Sequence, residues 1–189
     1  MKIIIIILLT IGMSTQLSAQ NFLPISIGYY TPYGVNPGLK IGTYFEWKEW
    51  GNTEDNNRKT LSINPKIGYW NAISYSNNVH RTMLIDGSLE YKSYTRNQRF
   101  YGLAAVTLGY HLSFERVANS VNIGMGQQTP TIETLHYFVP TLNLGFGQRI
   151  NDKLEYYFKI DGGQRLNTST DNDLFVAAEL GLVIHFKKN

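Results

Sequence analysis

Leu174–Phe186, LFVAAELGLVIHF, is the stretch on which the reading of the 189-residue chain turns. Every second residue, from Leu174 through Val176, Ala178, Leu180, Leu182 and Ile184 to Phe186, lies on one face with no polar side-chain atom. The other face carries Phe175, Ala177, Glu179, Gly181, Val183 and His185 and is mixed. A period of two belongs to a strand between unlike environments. A helix would scatter Glu179 and His185 among the apolar positions.

The same alternation recurs upstream, giving eight segments near 23–30, 38–48, 59–70, 80–94, 98–114, 132–147, 153–164 and 173–186. Each keeps one clean apolar face. Leu23, Ile25, Ile27 and Tyr29 oppose Ser26 and Gly28 in the first; Leu61, Ile63, Ile67 and Tyr69 oppose Ser62, Asn64, Lys66 and Gly68 in the third. In the fifth, Phe100, Ala104, Val106, Leu108, Tyr110 and Leu112 oppose Thr107, Gly109 and His111. Turn-rich stretches separate the segments, and 13 Tyr, 9 Phe and 17 Gly suit an all-β domain.

Ahead of these strands, Lys2 and the apolar run Ile3–Ile11 lead to Leu17-Ser18-Ala19, a small-residue cleavage site. Residues 1–19 therefore read as a signal peptide, and 20–189 as a single exported domain. The apolar run is too short to span a bilayer as a helix. The absence of Cys excludes a disulfide framework, a thiolate zinc site, a cysteine nucleophile and a lipoprotein anchor. Lys+Arg 17 against Asp+Glu 14 gives +3 spread along the chain, which is no nucleic-acid footprint.

Two architectures share this pattern with their faces exchanged. A soluble periplasmic barrel turns its apolar face inward around a ligand, whereas a membrane barrel turns it outward to lipid. Three features favour the second. Several segments exceed the 9–11 residues or so that a tilted strand needs to cross hydrocarbon. The polar faces carry near-balanced charges interspersed with glycine, which suits a narrow lumen. With the N-terminus inside, Phe45, Trp47, Tyr91, Phe100, Phe146, Tyr156 and Phe186 fall at one level and Tyr29, Tyr69, Tyr110 and Phe138 at the other. Two aromatic girdles are expected of such barrels.

Connections agree with this threading. Thr95–Asn97 and Asn151–Asp152 are tight inner turns, while Asn71–Val79 and Glu115–Thr131 are longer outer loops. Lys48–Arg58 is long for an inner turn, so the flanking strands extend further or that turn is atypical. Pro65 and Pro140 each remove a ladder donor, which predicts a bulge at one or both.

At this point the chain resembles the small eight-stranded outer-membrane β-barrel proteins, over roughly Phe22 to Phe186. The resemblance rests on the export signal, the alternating strands, the girdles and the terminal aromatic Phe186, which Lys187, Lys188 and Asn189 follow. It implies an eight-stranded antiparallel up-and-down transmembrane β-barrel in the cell outer membrane, a monomer in contact with outer-membrane lipid and with barrel-assembly machinery. The group includes adhesins, stress-related proteins, anchors and lipid-modifying enzymes, so membership does not fix a function.

His111-Leu112-Ser113 is the most enzyme-like constellation and resembles the His-x-Ser step of outer-membrane lipid A deacylases, in which His activates Ser to attack an ester. Those enzymes follow Ser with Asn and face it to lipid. Here Phe114 follows, and both residues fall on the lumen face; Glu115 lies about 13 Å from His111 along the strand, too far to orient it. Lys40, Glu46, Lys66, Asp86, Glu90, Lys92, Lys159, Asp161 and Glu179 form a lumen charge set that reads as a plug rather than an ion pathway, with Lys159 the first partner for Glu179. The four histidines lie on different segments without carboxylates at ligand spacing, so neither a metal nor a cofactor is expected. The 115–131 loop is the candidate surface for an extracellular partner. A structural or surface-interaction role is thus favoured over an enzyme.

Overall fold

In a computed structural model of the chain, which describes residues 23–51, 58–72, 80–117, 131–167 and 173–186, the last strand alternates as its sequence does. Leu174, Val176, Leu180 and Leu182 stand 41–72% exposed, whereas Phe175, Ala177, Glu179 and Val183 are 0–2% exposed. The apolar face is the outer one.

Nine strands make the sheet: β1 (Ile25–Pro32), β2 (Gly38–Thr43), β3 (Phe45–Trp50), β4 (Lys59–Ala72), β5 (His80–Tyr94), β6 (Phe100–Val117), β7 (Thr131–Asn151), β8 (Leu154–Arg165) and β9 (Asp173–Ile184). All pairings are antiparallel and join sequence neighbours except that β2 lies on β4 and that β1 pairs with β9, from Ile25↔Ile184 to Pro32↔Ala177, to close the wall. β2 and β3 are two pieces of one wall strand, both on β4, separated at Tyr44. The result is an eight-stranded up-and-down barrel. Closure leaves every strand inside the wall a partner on both sides, as a bilayer demands.

Strand lengths and turns follow from local chemistry. β3 runs on to Trp50 and β4 starts at Lys59, which shortens the Lys48–Arg58 connection to Gly51–Arg58. At the β7–β8 turn, Asn151 Oδ1 accepts the Lys153 N–H at 2.8 Å, an Asx turn that reverses the chain within two residues. At the β5–β6 turn, the Thr95 hydroxyl donates to Asn97 Oδ1 at 2.7 Å and Gln98 takes the left-handed conformation (φ 53°). Most of the longer connections, the stretch 1–19 that reads as a signal peptide, and most of the 115–131 loop lie outside the described residues.

The expected proline bulges are absent. The β4–β5 register passes Pro65↔Gly87 unbroken, and the β6–β7 register passes Leu108↔Pro140 unbroken. Each proline instead sits where its other ladder is interrupted. The ladder from β4 to β2 ends at Gly42↔Lys66 and resumes on β3 at Phe45↔Ile63, leaving Pro65 in the joint. The β7–β8 ladder begins at Thr141↔Gly163, with only the bridge Phe138↔Leu166 beyond Pro140. A missing N–H is harmless where no partner waits for it. The register shifts fall elsewhere, at Glu46/Lys48 and Arg149/Asn151.

The exposed apolar residues form a continuous belt. On β6 it runs from Phe100 to Tyr110, ten residue steps that at ~3.4 Å per step and a ~40° tilt rise about 25 Å. That matches the apolar band of a transmembrane barrel. Of the girdle residues, Tyr29, Tyr69, Tyr110, Phe138, Phe45, Trp47, Phe100, Phe146 and Phe186 stand exposed, while Tyr91 and Tyr156 are half-buried. This orientation overturns the soluble alternative, which needs the faces exchanged. An apolar belt of that size on a monomer is stable only against lipid.

Candidate functional site

Parity turns the polar face of each wall strand inward, where each polar group must find a partner or remain a costly unpaired group. The centre is built around Glu179 on β9. Its carboxylate meets Lys66 Nζ at 2.5 Å, Lys159 Nζ at 3.4 Å and Lys40 Nζ at 3.9 Å, and accepts a hydrogen bond from the Tyr157 hydroxyl. Lys159 stands directly opposite it in the β8–β9 register. Lys40 also reaches Asp86 at 2.7 Å and Asp161 at 3.8 Å, and Asn143 Nδ2 donates to Asp161 at 2.5 Å. Glycine makes the room: a Cβ on Gly28 would stand 2.8 Å from Glu179 Oε1, and one on Gly181 2.4 Å from the Tyr157 ring.

Two flanking clusters continue this core. Toward the inner end, Lys92 lies 3.6 Å from Glu90 and 3.5 Å from Glu155, which His185 Nε2 meets at 3.1 Å. Toward the loop end, Arg165 lies 3.4 Å from Glu115 and 3.4 Å from Ser113 Oγ. Aromatic faces supply further solvation. Lys40 stands 3.6 Å over Tyr30, Lys92 4.4 Å over Tyr44, Lys66 4.9 Å over Tyr157 and Arg165 3.7 Å over Tyr137. Five cations (Lys40, Lys66, Lys92, Lys159, Arg165) face five carboxylates (Asp86, Glu90, Glu155, Asp161, Glu179) among the buried described residues. The formal charges of these ten side chains cancel.

Above the central charges the lumen turns apolar. Tyr30, Trp70, Leu84, Tyr137, Val139, Phe175 and Ala177 pack as one buried cluster. Between it and the charges remains a void of about 10 Å3 lined by Lys40, Asp86, His111 and Asp161, room for one water at most. The central charges therefore border a buried cluster of aromatic and aliphatic side chains.

Eight of the nine charges named from sequence lie inside the wall: Lys40, Lys66, Asp86, Glu90, Lys92, Lys159, Asp161 and Glu179. Glu46 does not. Its register partner Ser62 is interior, yet Glu46 is exposed, as is all of β3. The reason is topological: β1 starts at Ile25 opposite Thr43, so β3 runs beyond the closed wall with no neighbour on its second edge among the described residues. Sequence reasoning omitted Glu155, Arg165 and His185 from the set, and the interior aromatics Tyr30, Trp70, Tyr157 and Phe175. All could be found by carrying each strand's parity past its clearly polar positions.

His111 and Ser113 are interior neighbours on β6, 2% and 0% exposed. His111 Nε2 faces Asp86 Oδ1 at 3.5 Å, and the ring stands edge-on to Phe175. Ser113 Oγ shares a 2.7 Å hydrogen bond with Thr82 Oγ1. The imidazole is held by a carboxylate below it and the hydroxyl by a threonine beside it, with the whole wall between them and any lipid ester. No group of three or more His, Asp, Glu or Cys among the described residues has metal-holding geometry.

No protein-family model matches the sequence, and no curated protein matches it. Among solved structures, the N-terminal β-barrel domain of Pseudomonas aeruginosa OprF aligns over 88% of this chain and 100% of its own, with a TM-score of 0.50 and 10% identity. Neisserial surface protein A (TM-score 0.47, 9% identity, 87% of this chain and 96% of its own) and the outer membrane enzyme PagL (0.48, 11%, 86% and 99%) align more weakly. At such identities the likeness concerns the fold alone. The fold is that of the small eight-stranded outer-membrane β-barrels.

Proposed function

We propose that the chain is a signal-cleaved, monomeric barrel of the outer membrane with a structural or surface-interaction role, its lumen plugged by paired charges and carrying no wide pore. The observation that supports this reading is the pairing of opposites: an apolar exterior belt around an interior whose five cations and five carboxylates balance. A pore needs a continuous wet path, and an eight-strand barrel has interior width only for side chains. Here they fill it. The partners of such a barrel are outer-membrane lipid, the assembly machinery that inserts it, and an extracellular molecule contacted through the 115–131 loop.

Two measurements test this. Cell fractionation with heat-modifiable gel mobility should place the chain in the outer membrane and show a compact unheated form; recovery in the soluble periplasmic fraction would end the reading. In planar bilayers the refolded barrel should give no stepwise conductance, and regular open-channel steps would contradict the plug. A hydrolase at His111 and Ser113 has no support in the geometry, because the nucleophile faces away from the substrate's phase.

A further inference from the structure

Two strands carry a stretch of edge with no neighbour among the described residues, and the two edges differ. β3 is guarded, since Lys48 lies on it and its register shifts at Glu46/Lys48. Lysine and bulges are devices that keep a bare edge from pairing. β7 lacks both on its free stretch. Its contact with β8 ends at the Phe138↔Leu166 bridge, yet β7 continues outward on β6 from His111↔Tyr137 to Val117↔Thr131 without a shift. Thr131–His136, TIETLH, contains neither lysine nor proline. At ~3.4 Å per step it offers about 17 Å of open strand at the loop end of the barrel.

One pair of bonds fixes where the free groups point. The Phe138 N–H donates to Leu166 O at 2.9 Å, and Phe138 O accepts the Leu166 N–H at 2.8 Å. Along an antiparallel strand the N–H and C=O groups turn to alternate sides. Those of His136, Thr134 and Ile132 therefore point as those of Phe138 do, past the end of β8, while those of Leu135 and Glu133 face β6. The side chains of Ile132, Thr134 and His136 are exposed, and the Tyr110 hydroxyl holds His136 Nδ1 at 2.5 Å. On the other face, exposed Glu133 stands across from Glu115 in register. Glu115 lies 3.4 Å from Arg165, whereas Glu133 has no ion pair among the described residues. Like charges in opposition weaken a strand pair, and a cation on the next strand would relieve them. A second copy in the same membrane cannot supply that strand, because pairing two β7 edges would turn one barrel out of the shared bilayer.

We propose that the free edge of β7 takes up an extended segment of an extracellular protein by strand addition. The main chain of that segment bonds Ile132, Thr134 and His136, and a basic residue on it lies beside Glu133. The inference rests on the surface-interaction reading above and gives it a site and a binding mode.

Amide NMR of the folded full chain in lipid nanodiscs, titrated with the acetylated hexapeptide Thr-Val-Lys-Val-Thr-Val, reads the edge directly. The amides of Ile132, Thr134 and His136 should shift and gain protection from hydrogen exchange. Exchanging the peptide's lysine for glutamate should weaken binding about fivefold, as reversal of one cross-strand charge pair implies. Methylating the amides of its first two valines should abolish binding. Thr134→Pro removes an N–H that bonds nothing in the barrel, so the variant should fold and yet fail to bind. Glu133→Lys should reverse the preference between the two charged peptides. Heat-modifiable mobility shows separately that each variant has folded. No shift at these amides with millimolar peptide, equal binding of the acidic or the methylated peptide, or unchanged binding by folded Thr134→Pro would overturn the edge site and leave the barrel standing. A wild-type chain that never enters the bilayer would overturn the membrane reading beneath it.

Discussion

Glu179→Gln removes one negative charge from an interior that has no exit for the imbalance. Glu179 is fully buried, and three ammonium groups lie within 4 Å of it: Lys66 at 2.5 Å, Lys159 at 3.4 Å and Lys40 at 3.9 Å. The amide keeps the shape and can still accept from Tyr157, so packing changes little. What is lost is the counter-charge. Lys40 retains Asp86 at 2.7 Å, but Lys66 and Lys159 have no second carboxylate within 4 Å among the described residues. Stranding one member of a buried pair costs about 3–5 kcal/mol. Against a total of ~5–15 kcal/mol this is a large share. Lys66→Met in the same chain restores neutrality, so the double variant should recover at least ~2 kcal/mol relative to Glu179→Gln alone. Urea titration in lipid vesicles, followed by tryptophan fluorescence and by gel mobility, measures both. A Glu179→Gln barrel within ~0.5 kcal/mol of the parent, or a double variant less stable than the single one, would refute the view that the lumen is an electrostatically closed unit.

Other perturbations test separate parts of the account. Leu108→Arg puts a charge on the outward face of β6 (Leu108 is 55% exposed) and should cost ~2–4 kcal/mol at the bilayer midplane, read as lost folding yield in vesicles. Gly181→Ala drives a Cβ to 2.4 Å from the Tyr157 ring and should destabilise by about 1–3 kcal/mol, while Gly87→Ala meets nothing within 4 Å and should be neutral or mildly stabilising in the same titration. Ser113→Ala should leave the lipid A acylation pattern of expressing cells unchanged by mass spectrometry, because its hydroxyl is shared with Thr82 inside the wall.

The barrel was legible in the sequence because a wall between lipid and a packed lumen forces strict parity on every strand, and parity survives without knowledge of neighbours. Leu174–Phe186 shows this in one segment. The opposition of Glu179 and Lys159 was legible too, since consecutive antiparallel strands bring such residues face to face. What parity hides is height. Glu46 has an interior register partner and is still outside the network, because where β3 leaves the closed wall depends on where β1 begins. Pro65 and Pro140 show a related blindness: each residue has two ladders, and which is interrupted is a property of the neighbouring strand. Interior aromatics such as Trp70 and Phe175 were obscured by type, since an apolar residue on the polar face looks like noise until Leu84 and Val139 are seen packed against it.

The central claim, an apolar wall turned outward around a polar interior, is tested most directly on β6. The chain has no cysteine, so single Cys substitutions from Phe100 to Glu115 can be labelled one at a time in vesicles with a polarity-sensitive fluorophore and quenched by brominated lipid. The account predicts period-two quenching, strong at 104, 106, 108 and 110 and weak at 103, 105, 107 and 111. Quenching strongest at the odd positions, or equal at both, would contradict it.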